Sequence, residues 1–270
     1  MIDMHLAGDS FWSWLPFAAF WVGLLVLFAC ETLRPLHLAP KDSDGRLVAN
    51  FGLGAMNFLA FALLPLSSIT AALWAQAQGI GALNQLSTPL WLAIVLTVAL
   101  RSLAAYGLHV LAHRSAWLWR VHRVHHADTA VDLSTGFRHH PLELLYVAAC
   151  YLVLAVALGL SPVALIAYEG AAVLLSLWTH ANLKLPSTAE RLLGAVLVTP
   201  ALHHVHHSAR QLETDSNYGE LFSLWDRVFG TLKRLDTEAL RAMRPGLGAD
   251  HDPAAPHLGR QLLLPLRQTP

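Results

Sequence analysis

HRVHH at residues 122–126 and HHVHH at 203–207 repeat one pattern, His-x-x-His-His, 81 residues apart in a chain of 270. Twelve of the 16 histidines lie between 109 and 207. A helix brings residues i, i+3 and i+4 to one face, so each copy can turn its imidazoles toward a common region. HVLAH adds His109 and His113, four apart. The three clusters together offer eight imidazoles: His109 and His113; His122, His125 and His126; His203, His206 and His207. That is more than one metal ion needs, and two ions sharing the set is the simplest arithmetic. Imidazole suits iron, zinc, copper and nickel, and a set without thiolate argues against an iron–sulfur cluster or most structural zinc. His140 in FRHHP and His180 in WTHANLKLP lack a partner at helical spacing, yet each sits at the end of an apolar segment and remains a candidate. His139 and His204 adjoin better-placed rings and are expected to point elsewhere, while His5, His37, His251 and His257 lie outside the clusters. Asp128, Glu143, Asp215 and Asp226 are nearby carboxylates able to accept a ring N–H and fix a tautomer.

The elements that position these rings are apolar. Phe11–Cys30 is 20 residues without a charge, and Leu47–Leu100 is 54. Leu144–Thr179 carries one charged residue, Glu169. About 20 apolar residues cross a bilayer's hydrocarbon, so the first stretch predicts one span. The second predicts two, broken by the Gly/Gln/Asn/Pro-bearing 76–89, and the third a hairpin of two short spans turning at GLSP, 159–162. The expected fold is an all-α, multi-pass transmembrane helical bundle with a cytoplasmic helical cap carrying the histidines. All 18 Lys and Arg fall in 31–46, 101–138 and 184–270, which the positive-inside rule puts at the cytoplasmic face. Residues 1–235 are expected to form this body and 236–270, rich in proline, a polar cytoplasmic tail that is surface-lying or disordered. Glu169, costly inside a span, should face the protein interior or be protonated. Trp117, Trp119, Trp178 and Trp225 flank the clusters as interfacial anchors or, alternatively, as walls of a lipid tunnel. The formal net charge is zero, and no nucleic-acid partner is expected. Cys30 and Cys150 both lie in apolar segments and suggest no disulfide framework.

HVLAH, HRVHH, FRHHPLE, HANLKLP, TPALHHVHHS and NYGELFSLWDRVFGT follow one another in an order that resembles the fatty acid hydroxylase/sterol desaturase superfamily of membrane di-iron enzymes. The resemblance covers roughly 105–232 plus the spans before it. It implies two iron ions, which zinc can replace in purified protein, and O2 as co-substrate. The ligands it implies are His109, His113, His122, His125, His126, His203, His206 and His207, with His180 as an additional one. His140 is a weaker carry-over, and Asn182 could approach a metal through water. The implied reaction is hydroxylation of an unactivated C–H bond in a membrane lipid, fatty acyl, sterol-like or other isoprenoid. Desaturation or ether-lipid monooxygenation on the same site is the alternative, and metal transport a remote one. Without a fused cytochrome b5-like domain, a separate electron donor is expected: a ferredoxin, a cytochrome or a reductase.

Overall fold

The computed structural model describes residues 4–38, 44–64, 67–86, 88–248 and 257–267, with side chains from residue 18 onward apart from 19 and 44. His251 and the His5 side chain lie outside the described residues. Among the described residues there is no strand, only three isolated bridges. Fourteen helices follow in order: α1 Met4–Leu33, α2 Asp44–Leu63, α3 Ser68–Ala77, α4 Ala82–Gln85, α5 Leu90–Arg114, α6 Ala116–His126, α7 Pro141–Leu158, α8 Pro162–His180, α9 Ser187–Leu193, α10 Pro200–His206, α11 Gln211–Thr214, α12 Leu224–Val228, α13 Thr237–Ala242 and α14 Leu258–Leu263. A 3₁₀ turn, Leu133–Phe137, joins α6 to α7.

Among the described residues, four segments are long and apolar enough to cross a membrane: Gly45–Gln85, Leu90–Arg114, Pro141–Leu158 and Pro162–His180. Large apolar side chains such as Phe58, Phe61, Trp91, Val153, Val163 and Ile166 point outward, as expected where lipid is the solvent. The predicted hairpin turns at Gly159, whose φ of 65° ends α7 in the left-handed region, and restarts at Ser161, which caps α8 ahead of Pro162. At 1.5 Å per residue the two arms run about 27 and 28 Å, close to the hydrocarbon thickness. The span expected over 47–75 is built of two helices, α2 and α3, and Ser67 and Thr70 form a capping box that starts α3 anew.

The loops at 78–89 and 159–161 meet at the same end of the bundle: a Cβ on Gly81 would fall 2.2 Å from the Gly159 nitrogen. Ala72, Ala155, Leu160 and Leu165 close the core beside them. The histidine-bearing ends of α5, α7 and α8 lie at the other end, under a cap of short helices. Arg46 and Asn50, near the start of α2, reach Asp128 at 3.1 and 2.8 Å, and Arg138 Nη1 donates to Asn50 Oδ1 at 2.7 Å. This buried network ties the bundle to the α6–3₁₀ segment. The part beyond 235, expected as a surface extension, packs onto the body. Leu240 buries against Leu36 and Val205, and Leu264 against Leu53, Val124 and Ala127. Arg123 Nη2 donates to the Leu264 and Arg267 carbonyls at 2.7 Å each.

Candidate metal centre

The structure sorts nine histidines into two groups. His109, His113, His122, His126 and His206 form one, and His125, His180, His203 and His207 the other; in each, one nitrogen per ring lies within 4.8 Å of all the rest. Both His-x-x-His-His motifs are divided between the groups. Residues i and i+4 sit about 40° apart around a helix, whereas i+3 and i+4 are about 100° apart. His122 and His126 therefore face one group while His125 turns to the other; His203 and His207 face the second while His206 turns to the first. The adjacent rings His125–His126 and His206–His207 are each perpendicular, at 90°. The repeated spacing lets two short helices serve two centres at once.

The rings of the five-membered group are held from behind. His109 Nδ1 donates to the Tyr218 carbonyl at 2.8 Å and His206 Nδ1 to the Ser216 carbonyl at 2.7 Å. His122 Nδ1 reaches Glu143 at 2.7 Å, His113 Nδ1 reaches Asp215 at 3.4 Å, and His126 Nδ1 meets Thr214 Oγ1 at 3.4 Å. All five Nε2 atoms are then buried with no hydrogen-bond partner. An orphaned buried polar atom costs free energy, and five converging orphans form a donor set suited to an acceptor of electron pairs.

In the second group the lone pairs face one another. His125 Nδ1 donates to the Arg138 carbonyl at 3.1 Å and His180 Nδ1 to the Ser176 carbonyl at 2.6 Å. A carbonyl can only accept, so both rings carry their proton on Nδ1 and present a bare Nε2. Those two Nε2 atoms lie 3.1 Å apart; His203 Nε2 is 2.9 Å from His180 Nε2, and His207 Nε2 is 3.2 Å from His203 Nε2. Two nitrogens bound at about 2.1 Å to one ion at right angles stand about 3.0 Å apart. A second proton is a poor remedy, because burial holds His125, His203 and His207 well below the usual histidine range. The residues present fit a metal ion in each group.

Other candidates fall away from the rings. His140 Nδ1 accepts from the Leu142 amide as the N-cap of α7, and its Nε2 faces the Leu262 carbonyl at 3.2 Å. Asn182 Oδ1 accepts from the Leu36 and His37 amides while its Nδ2 donates to the His37 carbonyl. Both serve the backbone, and neither joins a histidine group. His204 stacks on His37 at 5.2 Å and turns its Nε2 to the His180 carbonyl. His139 stacks on His125 at 4.2 Å. Of the four carboxylates, Glu143 and Asp215 meet rings. Asp128 instead anchors the network holding Arg138, and Asp226 accepts from the Tyr218 and Gly219 amides at 2.7 and 2.8 Å, fixing the turn whose carbonyl holds His109. Those carbonyls have no signature in the sequence, because any residue supplies one.

A cavity of about 350 Å³ opens beside both groups, between α2, α5, α7 and α8. His109, His122, His125, His180 and His203 line it together with Gly54, Ala105, Leu108 and Val147. None of the four flanking tryptophans does; Trp119 packs on His113 at 4.9 Å, and Trp225 Nε1 donates to Ser102 Oγ at 3.0 Å.

Residues 94–231 match the fatty acid hydroxylase family. Ornithine lipid hydroxylase OlsE of Rhizobium tropici is 31% identical over 144 residues, covering 53% of this chain and 42% of that protein. Alkylglycerol monooxygenase of Homo sapiens is 29% identical over 128 residues, 47% of this chain and 28% of its own length. A cholesterol 25-hydroxylase-like protein of Danio rerio is 35% identical over 129 residues, 46% and 49% of the respective chains. This chain thus spans less than half the length of each of these relatives, and no solved structure matches it. The family match covers half of the chain and contains every histidine of both groups, so the protein belongs to the fatty acid hydroxylase family.

Proposed function

We propose that the protein is a membrane-embedded lipid hydroxylase holding one iron ion in each histidine group: His109, His113, His122, His126 and His206 for one, His125, His180, His203 and His207 for the other. The observation carrying this reading is the convergence of nine lone-pair nitrogens on two points beside an apolar cavity at the ends of spanning helices. Bound iron supplies the reduction of O2 that attack on an unactivated C–H bond demands. One oxygen atom would enter the lipid, and the other would leave as water, taking two protons from solvent and two electrons delivered by a separate carrier, a ferredoxin, cytochrome or reductase. The chain's own residues do the positioning. Glu143, Asp215 and the carbonyls of Tyr218, Ser216, Arg138 and Ser176 fix ring tautomers, so that Nε2 is free before any ion arrives. The cavity lies among the spanning helices, so a lipid segment enters it without passing through water. The distribution of Lys and Arg supports a cytoplasmic face for the histidine end.

Comparative lipidomics of cells with and without the gene, grown under heavy-isotope dioxygen, tests this reading, with metal analysis of the purified protein alongside. A lipid gaining one labelled oxygen is expected. A lipid that loses two hydrogens instead would replace hydroxylation with desaturation, and an unchanged lipid profile would refute both.

A further inference from the structure

The cavity has a second polar end. Arg101, eight residues before His109 on α5 and 2% exposed, grips Glu169 of α8 with two hydrogen bonds: Nε to Oε1 at 2.9 Å and Nη2 to Oε2 at 3.1 Å. Its guanidinium lies 3.3 Å from the ring centre of Tyr151 on α7. This pair ties three spanning helices together and is complete without further help. Glu220 is surplus to it. Its Oε2 takes Arg101 Nη1 at 3.4 Å and the Tyr168 hydroxyl at 3.1 Å, while Oε1 has no partner among the described residues. A third of its side chain is accessible although protein surrounds it, and it lines the cavity beside Tyr151. Along α5, Arg101 stands eight residues, about 12 Å of helical rise, before His109. The wall between is apolar, with Ala105, Leu108, Leu144 and Val147.

We infer that Glu220 determines specificity by hydrogen-bonding a hydroxyl group of the lipid segment that fills the cavity, at the end lined by Tyr151. This rests on the reading that the histidine end is where the C–H bond is attacked. Charge selects the group. Arg101 and Glu169 pair with each other and neither lines the cavity, so a group there meets the Glu220 carboxyl: a carboxylate would face a second acid, and an ammonium would give up its hydration shell in apolar surroundings. A bare hydrocarbon end would leave a carboxyl oxygen unpaired in apolar surroundings, which is costly. A hydroxyl both donates and accepts and so suits Glu220 charged or neutral; burial raises Glu220 toward the neutral form. At about 350 Å³ the cavity is near the lower end of ligand-pocket sizes, which fits one chain or ring system with a terminal hydroxyl and not a two-chain lipid.

The test uses the purified full chain, loaded with zinc so that no turnover intrudes, and two radiolabelled probes of one chain length: hexadecanol and its methyl ether. Retention by the immobilised protein in detergent gives the affinities. The alcohol is expected to bind roughly tenfold more tightly than the ether, the worth of one net hydrogen bond. Glu220→Leu should bring that ratio to about one, and Glu220→Gln should keep part of it. Equal affinities in the wild type, or a preference that survives Glu220→Leu, would overturn the inference. The wild-type comparison needs no variant, so misfolding of Glu220→Leu leaves it decisive. Lipidomics and iron content judge the oxygenase reading separately, so the two can fail independently.

Discussion

The two histidine groups are built from the same motif but supported unequally. In the five-membered group each ring has its Nδ1 against an oxygen, from Tyr218, Asp215, Glu143, Thr214 or Ser216. In the four-membered group only His125 and His180 are held in this way; His203 and His207 have no partner at Nδ1 among the described residues. They rest on ring contacts instead, His203 at 4.3 Å from His180 and His207 stacked at 4.7 Å on His126. The first group is oriented before an ion binds. The second has one ring fewer, and it sends three of its four rings to the cavity wall: His125, His180 and His203. The less supported group is the one that contributes most rings to the cavity wall.

Deleting one ligand from each group should break the symmetry most strongly. His207→Ala leaves three imidazoles and no spare, so bound metal should fall from two ions toward one and activity should vanish. His113→Ala leaves four rings, three of them firmly held, and should retain both ions in metal analysis while losing most activity. Equal metal loss in the two variants would dissolve the distinction between the groups. A smaller effect should follow from Glu143→Gln, which keeps an acceptor for His122 but removes its charge. A 10–100-fold loss in metal affinity or activity is the usual cost of such a change, measured by chelator competition.

Eight of the nine ring positions were legible because helical spacing is written in residue identity; His180, with no partner at that spacing, was legible only through the family resemblance. What the spacing could not divulge was the division of each motif, which depends on where the axes of α6 and α10 point once packed. His140 and Asn182 looked eligible for a related reason: they occupy the correct end of the bundle, and only the backbone hydrogen bonds they make reveal their other work. Glu169 was expected to face the interior, and it does, paired with Arg101. Glu220 gave no sign, since it lies far from Arg101 in sequence and among motif residues with structural tasks. The spans were plain from charge-free length; the break before Ser68 turned on a capping box of two small side chains.

Asp215→Asn extends the comparison at lower amplitude. Asp215 meets His113 at 3.4 Å and its side chain is 42% exposed, so water shares the task and screens its charge. Metal affinity should drop only a few-fold, clearly less than for Glu143→Gln. An equal drop would mean that burial of the acceptor is irrelevant to how firmly a ring is held.

The smallest effect belongs to His140, and it tests where the metal centre ends. His140 caps α7 through Nδ1 and meets the Leu262 carbonyl through Nε2, so its replacement should touch stability and spare the ions. Loss of an N-cap costs about 1 kcal/mol, so His140→Ala should lower the melting temperature by a few degrees with metal stoichiometry unchanged. His140→Asn restores a side-chain cap and should recover most of that loss. Glu143 lies in the first turn of the same helix and holds His122, so fraying of α7 would reach the five-membered group first. Any metal lost from His140→Ala should therefore come from that group and return with His140→Asn; metal lost equally from both variants would make His140 a ligand after all.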